Sequence, residues 1–87
     1  MQVFIRLPNG KTVTYTPKSN QSTLAEIRLW LNNVHDFYTN KKFVILLEYH
    51  SKKHPLTVEI GKELDDDTEI SNLFRHKIIK EILFSFP

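Results

Sequence analysis

The sequence predicts an α+β domain in which a mixed sheet packs against one helix, in the order β-β-α-β-β-β. Three observations carry that expectation. Residues 2–7 and 11–16 alternate apolar and polar about a Pro8-Asn9-Gly10 turn, the pattern of an N-terminal β-hairpin. Leu24, Ile27, Leu31 and Val34 then recur at helical spacing. After them come short runs rich in branched and aromatic residues, Phe43 to Tyr49, Leu56 to Ile60 and Ile78 to Phe86, which suit strands.

In the first strand Val3, Ile5 and Leu7 share one face, and Gln2, Phe4 and Arg6 the other. Asn9-Gly10 is a hairpin signal because both residues tolerate positive φ. In the second strand Val13 and Tyr15 point one way, and Thr12, Thr14 and Thr16 the other. Pro17 to Ser22 is polar and ends the hairpin. Thr23-Leu24-Ala25-Glu26 reads as a capping box, with the Thr23 hydroxyl accepting from the Glu26 amide and the Glu26 carboxylate reaching back. On that reading Thr23→Ala costs about 1 kcal/mol. One helix follows from about Leu24 to His35, with Trp30 on its flank and Leu29 on its far side.

The orientation of the third strand turns on Glu48. If Glu48 faces water, so do Val44 and Leu46, while Phe43, Ile45, Leu47 and Tyr49 face the core. Leu56 to Ile60 is expected to pair with it across the loop Ser51 to Pro55, and Gly61 closes that fourth strand. Residues 64–74 read as an acidic loop running into a short helical turn. In the last strand Ile82, Phe84 and Phe86 share one face and Leu83 the other.

The chain of 87 residues suits a single domain, 1–87, with no repeat, low-complexity segment or linker. It has no cysteine, which excludes disulfides, Cys-ligated metal and thiol chemistry. The net charge of +2 is a small excess, and the densest basic run is the short His50-Ser51-Lys52-Lys53-His54, too little for a nucleic-acid footprint. No apolar run approaches the roughly 20 residues of a membrane span. The N-terminus lacks a signal-peptide pattern, so Asn20-Gln21-Ser22 has no standing as a glycosylation sequon. His50 and His54 read as solvated loop residues, since a zinc site needs three or four ligands. Asp65-Asp66-Asp67 lacks the spaced oxygens of a calcium loop and reads as a solvated turn. No nucleophile–base pair, paired carboxylates or glycine-rich phosphate loop stands out. The reading is therefore non-catalytic, with no cofactor, metal or small-molecule substrate.

Met1-Gln2-Val3-Phe4 resembles the first four residues of ubiquitin, and Gly10-Lys11-Thr12 with Thr14 resembles its hairpin. Thr23-Leu24 and Ile27 look like the start of its helix. Gly61-Lys62-Glu63-Leu64-Asp65-Asp66, continuing to Ile70-Ser71, resembles the stretch around its last short helix. Matches in this order over nearly the whole chain imply a ubiquitin-like β-grasp. The chain departs from that pattern in three places. The segment from the third strand to Gly61 is longer, Pro8 replaces an exposed leucine, and Phe86-Pro87 stands where the family carries a diglycine tail. As written, the chain does not fit a conjugated modifier or a sulfur carrier. Two readings follow: a diglycine lies just beyond Pro87, or the domain is a fixed module at the N-terminus of a larger protein, a position that Met1, flush against the first strand, suits. That position resembles the silencing-defective splicing and genome-maintenance proteins, whose ubiquitin-like leader is cut off by deubiquitinating proteases. The resemblance implies an intracellular protein, of nucleus or cytoplasm.

The same resemblance implies partners that are other proteins, deubiquitinating proteases among them, held through an apolar sheet face. Leu7, Pro8, Val44, Leu46 and Leu83 are the residues expected to form it, because contiguous exposed apolar area marks interaction surfaces. The alternative is a charge-driven β-grasp adaptor, of Ras-association or head-to-tail assembly type, which sets Lys11, Lys52 and Lys53 against Asp65, Asp66 and Asp67.

Overall fold

The structure is a computed structural model that describes residues 2–46, 61–74 and 81–87. Its elements are β1 (Gln2–Arg6), β2 (Thr12–Tyr15), α1 (Leu24–Val34), β3 (Phe43–Ile45), β4 (Glu63–Leu64), a 3₁₀ turn (Ile70–Leu73) and β5 (Glu81–Ser85). The strands form one mixed five-stranded sheet in the order β2-β1-β5-β3-β4. β1 and β5 lie side by side and parallel; the other neighbours are antiparallel. The helix covers one face, and the core between them holds Val3, Ile5, Leu24, Ile27, Leu31, Phe43, Ile45 and Phe84, each at most 2% exposed.

The hairpin closes differently from the expected Asn-Gly turn. Only Gly10 has positive φ, at 86°; Asn9 does not. The Gly10 amide donates to the Leu7 carbonyl (2.9 Å), and the Leu7 amide donates to Lys11 (2.8 Å). This is a three-residue loop with a left-handed glycine at its end. Proline explains it: a two-residue Asn-Gly turn needs an amide donor at position 8, and Pro8 has none. The Asn9 side chain compensates by accepting from the Lys11 amide at 2.9 Å.

The capping box is not formed. Thr23 sits at the N-cap, but its hydroxyl caps nothing. The first-turn donors are met from elsewhere in the chain: Leu24 donates to the Thr68 carbonyl (3.1 Å) and Ala25 to that of Asp66 (2.9 Å). A tertiary loop thus satisfies the amides that a side chain would otherwise cap. Glu26, freed from that role, binds Tyr15 and Ser22 instead. At the other end Val34, expected in the apolar stripe, is 62% exposed. The chain turns at Asp36, whose φ is 49°, and the Phe37 amide folds back onto the Leu31 carbonyl at 3.0 Å. Phe37 then packs against the core where the helix has run out.

Phe43 and Ile45 face the core as expected, but Val44 is not exposed: it is 7% accessible on the opposite face, flanked in register by Ser85 and Glu63. The described strand that pairs with β3 on its outer side is Glu63–Leu64, whose Leu64 was expected to open the acidic loop. Gly61, with φ of 81°, leads into it and donates to the Ile45 carbonyl at 2.8 Å. Leu47, Glu48, Tyr49, His50, Lys52, Lys53, His54 and the expected strand Leu56 to Ile60 lie outside the described residues, as does the start of the last strand before Glu81.

The acidic turn is not simply solvated. Asp66 accepts from Arg28 Nε (2.5 Å) and Nη2 (3.0 Å), while the same guanidinium donates to the carbonyls of Thr39 (2.6 Å) and Lys41 (2.8 Å). It also lies 5.1 Å from the ring centroid of Phe43 and 5.7 Å from that of Phe86. Arg28→Met removes these bonds while keeping most of the aliphatic stem, and leaves a carboxylate and two carbonyls without their donor. Urea unfolding followed through the fluorescence of the single tryptophan, Trp30, is expected to show a loss of about 2–3 kcal/mol for Arg28→Met. Thr23→Ala is expected to stay within about 0.5 kcal/mol of the parent, and a loss of 1 kcal/mol or more there would restore the side-chain cap.

Candidate functional site

Strand alternation leaves a second face of the sheet, opposite the helix, and the register assembles it row by row. Val3 and Ile5 of β1 go to the core, so Phe4 and Arg6 face outward. Phe4 aligns with Thr14 on one side and Leu83 on the other. Leu83 is in turn next to Leu46, whose amide donates to the Leu83 carbonyl at 2.7 Å. The result is a row, Thr14–Phe4–Leu83–Leu46, crossing four segments. Leu46 is 38% exposed, and Phe4 and Leu83 are half-buried. The next row runs Thr12–Arg6–Ser85–Val44–Glu63, with Arg6 and Glu63 exposed near its two ends.

The five expected patch residues therefore separate. Leu46 and Leu83 are neighbours on the outer face. Val44 lies on the same face but is nearly closed off. Leu7 is 6% exposed and belongs to the core, because it continues the inward phase of Val3 and Ile5. Pro8 is exposed in the hairpin loop, past the end of the row. The expectation missed Phe4, although the alternation that sends Val3 and Ile5 inward sends Phe4 outward.

The helix side carries a second polar cluster. The Tyr15 hydroxyl donates to one Glu26 oxygen, and Ser22 Oγ donates to the other at 3.2 Å. Trp30 packs on Tyr15, with ring centroids 4.9 Å apart, and His35 meets the edge of Trp30 at 4.6 Å. Burial first, then the hydrogen bond and negative charge of Glu26, push the Tyr15 phenol above its ordinary range. The Tyr15 bond holds the Glu26 carboxyl below its ordinary 4.5, against the opposing effect of burial. Ser22 is 4% exposed, so its hydroxyl is closed to an incoming substrate. This arrangement fastens β2 and the loop before α1 to the helix.

Among the described residues, clefts lie on both flanks of the helix. One of about 360 Å³ is lined by Arg28, Thr39, Asn40, Lys42 and Asp66. Its charges are already engaged, Arg28 by Asp66 and Lys42 Nζ by Asp65 at 2.8 Å. That contact raises the Lys42 ammonium and lowers the Asp65 carboxyl from their ordinary values. Another, of about 170 Å³, lies between Tyr15, Lys18, Glu26 and the Trp30–Val34 side of the helix. Among the described residues, no group of three or more His, Asp or Glu is placed to hold a metal ion. No helix among them is long and apolar enough to cross a membrane.

No known family model matches the chain, and no curated protein matches it. The sheet's outer face is therefore weighed on its own chemistry.

The Tyr15–Glu26 bond has a pH signature. A carboxyl held low in the folded state adds stability above its unfolded pKa, near 4.5, and loses it as pH falls through the folded value. The stability difference between the parent and Glu26→Gln, measured by urea unfolding, is expected to be largest at neutral pH and to shrink as pH drops below about 4.5. A difference constant from pH 7 to 3 would show that the carboxylate charge plays no part.

Proposed function

We propose that this chain is a ubiquitin-like β-grasp domain without catalytic chemistry of its own, which binds other proteins through the outer face of its sheet. The fold supports that reading in its hairpin-first order, its central parallel β1–β5 pair and, among the described residues, one α-helix on one face. One observation carries it: the contiguous Phe4–Leu83–Leu46 row, apolar across three neighbouring segments and left open on the side away from the helix. Large aromatic and aliphatic side chains gathered on a rigid sheet suit a protein partner, because burial of apolar area drives such contacts and strand pairing has already ordered the surface. The fitting partner class is a protein that grips a sheet face, of the kind deubiquitinating proteases represent. The charge-driven adaptor reading is less well supported. Asp65 and Asp66, two of the three acids it needs, are already held by Lys42 and Arg28.

Titration of the ¹⁵N-labelled domain with a catalytically inactive deubiquitinating protease tests the reading. Amide shifts are expected to centre on Phe4, Leu83 and Leu46. Leu46→Asp places its charge at a site already 38% exposed, so circular dichroism is expected to match the parent. Binding is expected to weaken by about tenfold or more, roughly 1.4 kcal/mol. Equal binding by Leu46→Asp and the parent, or shifts centred on the helix side, would overturn the assignment of this face.

A further inference from the structure

The charges that flank the apolar row have a symmetry of their own. In the row Arg6–Ser85–Val44–Glu63 the cation stands on β1 and the anion on β4, with β5 and β3 between them. Neither forms an ion pair within 4 Å with a described residue, although the Glu63 charge is near enough to help raise the Lys42 ammonium. Three strand spacings, about 14 Å, separate their backbones. The midline between β5 and β3 therefore has opposite charges at matching distances on its two sides. An isologous interface requires that antisymmetry, because a twofold axis brings each end of a surface onto the other end of its copy.

We propose that the outer sheet face docks a second copy of this chain, with the twofold axis running along the strands between β5 and β3. The proposal rests on the reading that this face binds proteins and names the partner. Rotation about that axis keeps each row at its own height and exchanges its two halves. Leu83 meets Leu46 of the copy, and Leu46 meets its Leu83. Arg6 meets Glu63 at both ends of the neighbouring row. Two leucines thus face two leucines, and a cation faces an anion, under one operation.

Sheets stacked this way lie about 10 Å apart with their strands rotated by about 30°. The leucines near the axis stay in contact despite that rotation. Arg6 and Glu63 lie farther out, where the sheets splay, and both side chains are long enough to follow. The leucines supply the buried centre and the ion pairs the polar rim. A face this small sits at the low end of interface sizes, so the dimer is weak, dissociating in the region of ~0.1–1 mM.

Sedimentation equilibrium at low salt, from about 10 µM to about 1 mM, tests this with the parent, Arg6→Glu and Glu63→Arg; the range brackets the expected affinity. The parent is expected to show a monomer–dimer equilibrium that weakens with added salt. Each single variant sets like charges together at both ends and is expected to dimerise at least tenfold more weakly. Both positions are exposed, and circular dichroism checks that each variant keeps the fold. Mixing the two variants is decisive. In the mixed pair every facing charge is again opposite, so a 1:1 heterodimer as tight as the parent dimer is expected. Leu46→Asp, which attacks the centre and not the rim, is expected to abolish self-association. Single variants that dimerise like the parent, or a mixture that forms no heterodimer, would overturn the proposed axis. A parent monomeric at 1 mM whose Phe4, Leu83 and Leu46 amides still respond to a deubiquitinating protease would overturn the dimer alone. A monomer whose face responds to neither would remove the binding reading as well.

Discussion

Arg28 is the point where separate parts of this chain meet. It leaves the middle of the helix and uses four of its five N–H donors on Asp66, Thr39 and Lys41. Those partners belong to the loop after β4 and the segment between α1 and β3. Its flat guanidinium face also lies near Phe43 and Phe86, rings from β3 and from the end of the chain. A lysine could not serve the same partners, because a point charge lacks the planar fork that holds a carboxylate and two carbonyls together. The loop drawn in by Asp66 then supplies the carbonyls of Asp66 and Thr68 to the first turn of α1. One side chain thus fixes the loop that caps its own helix.

A second fastening at the other side of the helix completes the docking. Tyr15, Glu26 and Ser22 tie β2 and the preceding loop to α1, and Trp30 and His35 stack outward from them. With the helix held at both flanks, one side of the sheet is closed. The other carries Phe4, Leu83 and Leu46 in a line, bordered by Arg6 and Glu63. The two faces of one sheet divide the labour: polar bonds and core packing on one side, accessible apolar surface on the other.

Much of the fold was legible in the residues. Period-two alternation in Val3-Phe4-Ile5 and Ile82-Leu83-Phe84 reports which face each side chain takes, because the pleat permits no other arrangement. Leu24, Ile27 and Leu31 report the buried stripe of the helix for the same kind of reason. The same alternation exposes Phe4, and attention to both faces of β1 would have placed it in the candidate site. Leu7 follows the inward phase of its strand and so belongs to the core. Its closeness in sequence to the exposed Pro8 says nothing about which face it shares.

What the sequence determined by itself was periodicity: the hairpin, the one helix, the strand phases and hence the two-faced sheet. Those follow from backbone geometry within a few residues. What only the tertiary structure decided was how polar groups found their partners. Thr23 and Glu26 have the spacing of a capping box, yet the donors went to Asp66 and Thr68 and the carboxylate to Tyr15, all distant in sequence. Asp66 read as a solvated acid until Arg28 was beside it. Val34 kept the helical spacing but lost its burial to Phe37, because the helix outran the surface it covers. Hydrogen bonds and ion pairs depend on which groups meet in space, and strand order, which brings Leu46 beside Leu83, is set by the packing of the whole core and not by any local stretch.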